Sequence, residues 1–286
     1  MTIYPLVIRL GSFELTGYGI MMMVAFLMAG WLVTLELRRR GLREDYSGDM
    51  IAAAVIGGIV GAKLWYFALF PDQPLFARGG FVWYGGFVGG TLAVLLNGWR
   101  LKVPTRWTMQ VGAPALAAAY ALGRVGCFLV NDDYGRPTTL PWGVKFPRGL
   151  PPSTAMNLQQ QFGVPVPPGT DPQAVLAVHP TQLYEVALML VAFAVLWRLR
   201  TRAKPTGWLF GLYLLFAGVE RFLVEILRAK DDRLLGPFTL AQLTSIILIA
   251  IGATLLARWR EGPELPPGPY LAAAKDAEPP KSLAAA

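Results

Sequence analysis

The sequence predicts an all-α polytopic membrane protein, with seven transmembrane helices and a small outer-face cap between spans 4 and 5. Three observations predict it. Hydrophobic residues make up 54% of the 286 positions, and only 15% are charged, against roughly 25% in ordinary soluble domains. The apolar residues gather into seven runs near 17–35, 49–70, 81–97, 109–130, 181–197, 207–228 and 239–257. A membrane helix needs about 20 apolar residues, so seven spans use nearly all of them. Basic residues then alternate between connections, as positive-inside topology requires.

The first run ends in Arg38, Arg39, Arg40 and Arg43, the third in Arg100, Lys102 and Arg106. The fifth ends in Arg198, Arg200, Arg202 and Lys204, and the seventh in Arg258 and Arg260. The other connections are sparser: Arg78 stands alone, and Asp231 and Asp232 offset Lys230 and Arg233. Arg-rich loops on the cytoplasmic side place the N-terminus outside and the C-terminus inside. The net charge of +8 follows this alternation, not one face of a domain, so nucleic acid is not the expected partner. Residues 1–16 lack a basic start and a cleavage site, so the first span is expected to stay.

The connection 131–178 carries Pro137, Pro141, Pro147, Pro151, Pro152, Pro165, Pro167 and Pro168. It is too long for a turn and is expected to form the cap. The membrane domain thus covers 1–261. Residues 262–286, rich in Pro and Ala, read as a disordered cytoplasmic tail. No internal repeat supports an inverted-repeat transporter.

One cysteine, Cys127, and one histidine, His179, exclude an internal disulfide, a cysteine cluster and a multi-histidine metal site. No metal site is expected. Gly57, Gly58, Gly61 and Ala62, and then Gly85, Gly86, Gly89 and Gly90, have the small-xxx-small spacing of close helix contacts. Two readings stand: packing, or Gly85 and Gly86 leaving room for a ligand.

Ionisable groups at membrane depth are costly and mark function. Arg124 is near the end of the fourth run. Arg221, Glu225 and Arg228 share one face of the sixth, with Glu220 beside them. His179 precedes the fifth run, with Pro180 suited to its first turn, and Tyr18 opens the first run. Alternating topology brings these groups to one depth near the outer leaflet. Two arginines there suit an anionic phosphate, which guanidinium binds bidentately. A membrane enzyme acting on a phospholipid headgroup follows. Bland readings remain beside it. Arg228 and Lys63 are candidates to snorkel, Arg221–Glu225 for a structural ion pair, His179 for a polar cap and Cys127 for packing.

The stretch Gly123-Arg124-Val125-Gly126-Cys127-Phe128, followed by Asn131, Asp132 and Gly135, resembles the signature of prolipoprotein diacylglyceryl transferases. So do His179-Pro-Thr-Gln182-Leu-Tyr-Glu185 and Arg221-Phe-Leu-Val-Glu225 before Arg228. Tyr18-Gly19, Gly85-Gly86, and Gln242 with Ser245 add further matches, in order through residues 10–258. The resemblance implies an enzyme of the bacterial plasma (inner) membrane. It would move the diacylglyceryl group of phosphatidylglycerol to the lipobox cysteine thiol of a preprolipoprotein signal peptide. A thioether and glycerol 1-phosphate result, without a cofactor.

The resemblance gives Arg124 and Arg221 the developing charge on the leaving phosphate, with Glu225 orienting Arg221. Glu185, Gln182 and Tyr18 would shape the headgroup site, along with Gly85, Gly86, Asn131 and Asp132. The thiol needs a proton acceptor. The family pattern has His where this chain has Tyr84, Asn where Cys127 stands, and Asn-x-Glu where Val130-Asn131-Asp132 stand. His179 is then the only histidine for the role, with Tyr84 a hydrogen-bond donor. Two other readings are a non-catalytic relative that binds phospholipid or signal peptides, and a transporter.

Overall fold

The computed structural model describes residues 1–11, 13–72, 80–202, 204–230, 233–236 and 238–272. Among these, a helix lies on each of the seven apolar runs. They are α1 (Gly17–Arg39), α2 (Tyr46–Leu69), α3 (Trp83–Arg100), α4 (Thr105–Val130), α6 (Thr181–Leu199), α7 (Trp208–Glu225) and α8 (Leu240–Arg258). Two short helices, α5 (Ala155–Gln160) and α9 (Pro269–Ala272), and two strand pairs, β1 (Val7–Leu10) with β2 (Phe13–Thr16) and β3 (Arg233–Leu235) with β4 (Phe238–Thr239), complete the described elements.

Five helices, α1, α2, α4, α6 and α8, are long and apolar enough to cross a membrane. Seven were expected. The other two fall short for separate reasons. In α3 five glycines and the terminal Asn97 and Arg100 dilute the apolar residues, and α7 carries Glu220, Arg221 and Glu225.

The chain divides into two compact units. The first comprises Met1–Met28, Ala113–Lys204 and Trp208–Glu261. Its helical core is an alanine stripe of α4, Ala113, Ala117 and Ala121, at four-residue spacing. Met189, Ala192 and Leu196 of α6 and Leu209 of α7 complete it. Alanine at every fourth position lets larger neighbours fill the groove. Helix α8 approaches α7 at glycines: a Cβ on Gly218 would meet the Ser245 carbonyl at 2.8 Å, and one on Gly252 the Leu215 nitrogen at 2.8 Å. Thr239 starts α8 with a capping box, its hydroxyl accepting from Gln242 N–H and the Gln242 side chain from Thr239 N–H. Gln242 is thereby a helix-start residue.

The N-terminal residues pair as an antiparallel hairpin, Val7–Leu10 (β1) with Phe13–Thr16 (β2), which the apolar runs did not predict. The segment 131–178 packs a core of its own. Tyr134, Val144, Phe146, Leu158, Val164 and Val178 are buried in it, with Ala229. Tyr134 stacks on Phe146 at 5.4 Å between ring centroids.

The second unit comprises Ala29–Gly112, Pro205–Gly207 and Gly262–Ala286. Helices α2 and α3 meet at Gly57, Gly61, Gly85 and Gly89, and an added Cβ on Gly57 would meet the Gly89 carbonyl at 2.6 Å. The face that Gly85 lacks a side chain on is filled by Trp65 and the Gly61 carbonyl. Gly85 therefore serves helix packing and opens no ligand space there. A Cβ added to Gly86 would meet Ala62 and the Gly58 carbonyl at 3.4 Å, an ordinary contact.

Residues 262–272 correct the expectation of a disordered tail. Leu271 is buried, and its carbonyl accepts from Arg43 N–H at 3.0 Å. Trp107 Nε1 donates to the Leu265 carbonyl at 2.9 Å, and Tyr270 donates to Asp49 at 2.5 Å. Glu264 pairs with Arg40. The rest of the expected tail, 273–286, lies outside the described residues.

Candidate active site

The first unit gathers charge where α4, α6 and α7 end or begin. Arg124 comes from the last two turns of α4, Glu185 from the first turns of α6, and Arg221 and Glu225 from the end of α7. Arg228 follows α7, and Asp133 follows α4. These six residues form a closed ring of alternating charge. Arg124 Nη1 donates to Asp133 Oδ2 at 3.0 Å, and Arg124 pairs on its other side with Glu185. Glu185 Oε1 accepts from Arg221 Nη1 at 3.0 Å. Arg221 Nη2 pairs with Glu225 at 2.7 Å, and Glu225 lies 3.8 Å from Arg228 Nε. Arg228 pairs back to Asp133.

The ring balances three arginines against three carboxylates. Burying such charges is costly unless each is paired, and here every member has two opposite neighbours. Glu185 is fully buried, with 0% side-chain exposure, whereas Asp133 is 39% exposed. Arg228 is buried and paired, so it does not snorkel. Arg124 keeps one buried nitrogen, Nη2, without a hydrogen-bond partner. A buried guanidinium donor left over is a donor for another anion.

Other expected site residues border the ring. Gln182 donates from Nε2 to the Asp132 carbonyl. Cys127 Sγ accepts from Arg124 Nη1 at 3.4 Å. The Cys127 sulfur and carboxylate oxygens of Asp132 and Asp133 lie within 4.8 Å of one another. Tyr18 packs on Gly126, where an added Cβ would stand 3.2 Å from the Tyr18 Cα. Burial, and then neighbouring Asp133, push the Asp132 carboxyl up to about 6. Asp133 goes the other way. Burial opposes its charge, but Arg228 and then Arg124 hold its carboxyl well below the usual range.

Three expected residues turn to other partners. Asn131 is fully buried and donates to the Ile3 carbonyl at 3.0 Å, fastening the N-terminal segment. His179 does not cap α6: its Nδ1 lies 3.1 Å from the Tyr184 hydroxyl, which accepts from Trp142 Nε1 at 2.8 Å. Burial lowers the His179 pKa. Tyr84 is an exposed residue of the second unit, packed edge-on against Trp83 at 5.3 Å.

Asp133 was missed in the sequence. No charge count points to it, because Glu185, Glu220 and Glu225 on the α6 and α7 motifs already match Arg124, Arg221 and Arg228 in number. Its backbone takes φ 60°, and Thr181 Oγ1 donates to its carbonyl at 2.8 Å. Both features lie beyond helical periodicity.

Known proteins resemble this chain over most of its length. The prolipoprotein diacylglyceryl transferase family profile matches residues 5–258. A phosphatidylglycerol–prolipoprotein diacylglyceryl transferase of Geobacter sulfurreducens is 34% identical over 277 residues, covering 91% of this chain and 97% of the relative. Proteins of that name from Xanthomonas oryzae pv. oryzae (35% identical; 92% and 93% covered) and Clostridium tetani (32%; 87% and 94%) are also similar. A match of this length, spanning every residue of the charged ring, shows that the chain belongs to the prolipoprotein diacylglyceryl transferase family.

Proposed function

We propose that this multi-pass bacterial membrane protein transfers the diacylglyceryl group of phosphatidylglycerol to the lipobox cysteine of preprolipoproteins. The observation that carries the reading is the buried ring around Arg124 and Arg221, in a chain of this family. A substrate thiolate attacks the glycerol carbon, the carbon–oxygen bond to phosphate breaks, and glycerol 1-phosphate leaves. Negative charge grows on that phosphate. Guanidinium groups already fixed by carboxylates need not reorganise to meet it, so they favour the transition state most. Glu185 and Glu225 hold the two arginines in place. Tyr18 and Gln182 border the headgroup.

We assign the thiol's proton to Asp132. Its carboxyl, pushed up to about 6 by burial, adjoins the ring, which suits a general base. His179, bonded to Tyr184, supports the same region at greater remove.

The reading includes all seven apolar helices as spans, α3 and α7 among them. Segment 131–178 caps the outer face, the N-terminus is outside, and the C-terminus is cytoplasmic. The alternating arginines support this orientation. The ring then lies near the outer leaflet. Residues 1–261 form the membrane transferase domain. The test is transfer by purified protein with phosphatidylglycerol and a lipobox peptide; Arg124→Gln and Arg221→Gln should each abolish most turnover in folded protein.

A further inference from the structure

The ring contains one carboxylate unlike the other two. Glu185 and Glu225 lie on helices with side chains 0% and 1% exposed, so neither has room to leave. Asp133 belongs to the turn after α4 and is the most exposed member. Its backbone is anchored by Thr181, so its side chain can rotate out without moving the chain. It bridges two guanidiniums with one oxygen each, Oδ2 to Arg124 and Oδ1 to Arg228. A phosphodiester presents two non-bridging oxygens and can bridge the same pair in the same way. Beside that seat lies the unpartnered Nη2 of Arg124, a donor that a carboxylate leaves unused.

We propose that Asp133 is an exchangeable counter-anion, occupying the seat between Arg124 and Arg228 that the lipid phosphodiester takes during turnover. This rests on the proposed function, and it makes Arg228 a phosphate ligand alongside Arg124. Entry of the lipid swings the Asp133 carboxylate out to the aqueous side. Its return displaces the anionic product, glycerol 1-phosphate. Between turnovers it keeps two buried guanidiniums paired. Asp133 is thus a positioning residue that sets how tightly the site holds phosphate.

The experiment compares Asp133→Asn with the native protein in neutral detergent. Loss of the competing carboxylate should lower KM for phosphatidylglycerol about fivefold, about 1 kcal/mol. It should strengthen inhibition by glycerol 1-phosphate by a similar factor and lower kcat, because product leaves slowly. Arg228→Gln should raise KM. A purely structural Asp133 would lower kcat in proportion to folded protein, with KM and product inhibition unchanged or weaker; that result overturns the proposal. If Asp133→Asn folds poorly, phosphatidylglycerol should restore its unfolding midpoint more than the native protein's, whereas inorganic phosphate should not. No greater stabilisation by the lipid, or equal rescue by inorganic phosphate, also overturns it. If the native protein transfers nothing, the functional reading fails instead, and the lipid-stabilisation comparison still decides the role of Asp133.

Discussion

Arg124 stands between two carboxylates, and so does Arg221; this is what gives each guanidinium a fixed direction. A lysine would keep the charge and lose the fork that reaches both partners. Arg124→Lys and Arg221→Lys should therefore retain little transfer, with a rate loss of at least about a hundredfold. Peptide-lipidation rates, normalised to folded protein, check this. Asp132 has a different signature. Its folded carboxyl, at about 6, exceeds the ordinary value of 3.8, so the native state keeps its proton where the unfolded chain has lost it. Stability then falls as pH rises from about 4 to 6. Asp132→Asn should remove that fall, leaving stability unchanged below pH 4 and raised above pH 6 by up to about 3 kcal/mol. It should also cost about a hundredfold or more in transfer and abolish the acid limb of the rate profile near pH 6. His179→Gln should cost about tenfold at most. Unfolding midpoints and rates across pH measure both effects.

Arg124, Arg221 and Glu225 were legible in the sequence, because a charge inside an apolar run is expensive and i, i+4 spacing pairs it. Asp133 was not, because its place depends on a left-handed turn after α4. Asn131 looked like a site residue for its neighbours, yet the turn sends its amide to Ile3.

At the element scale, helices meet through glycine. On α7, Gly218 leaves no space for a side chain against the Ser245 carbonyl. Gly218→Leu should force α7 from α8 and cost several kcal/mol, roughly 3, read as a lowered unfolding midpoint in detergent. Because α7 carries Arg221, transfer should fall with it. The α8 start is milder: Thr239→Ala removes a capping box worth about 1 kcal/mol. The seven helices were readable from apolar runs, since run length alone sets them. The hairpin of residues 7–16 was not, because strand pairing depends on a partner that hydropathy does not identify. The segment 262–272 was misread from its composition. Its order comes from partners distant in sequence, Trp107, Asp49 and Arg43, so no local pattern announces it. A chain ending at residue 261 should lose these bonds and unfold at a lower temperature than one ending at 272.

For the whole molecule, the alternation of Arg-rich connections supports the proposed orientation. Reporter fusions after Leu150 should score external, and those after Leu42, Val103 and Leu265 internal. A reversed pattern would place the ring on the cytoplasmic side and remove its access to exported substrates. The central claim is transfer chemistry, and the most direct measurement is peptide mass. Purified protein is incubated with phosphatidylglycerol and a lipobox peptide, and with a Cys→Ser copy of that peptide. The account predicts one diacylglyceryl group on the cysteine peptide, glycerol 1-phosphate released in equal amount, and no change to the serine copy. An unmodified cysteine peptide, with folded protein that binds the lipid, would contradict it.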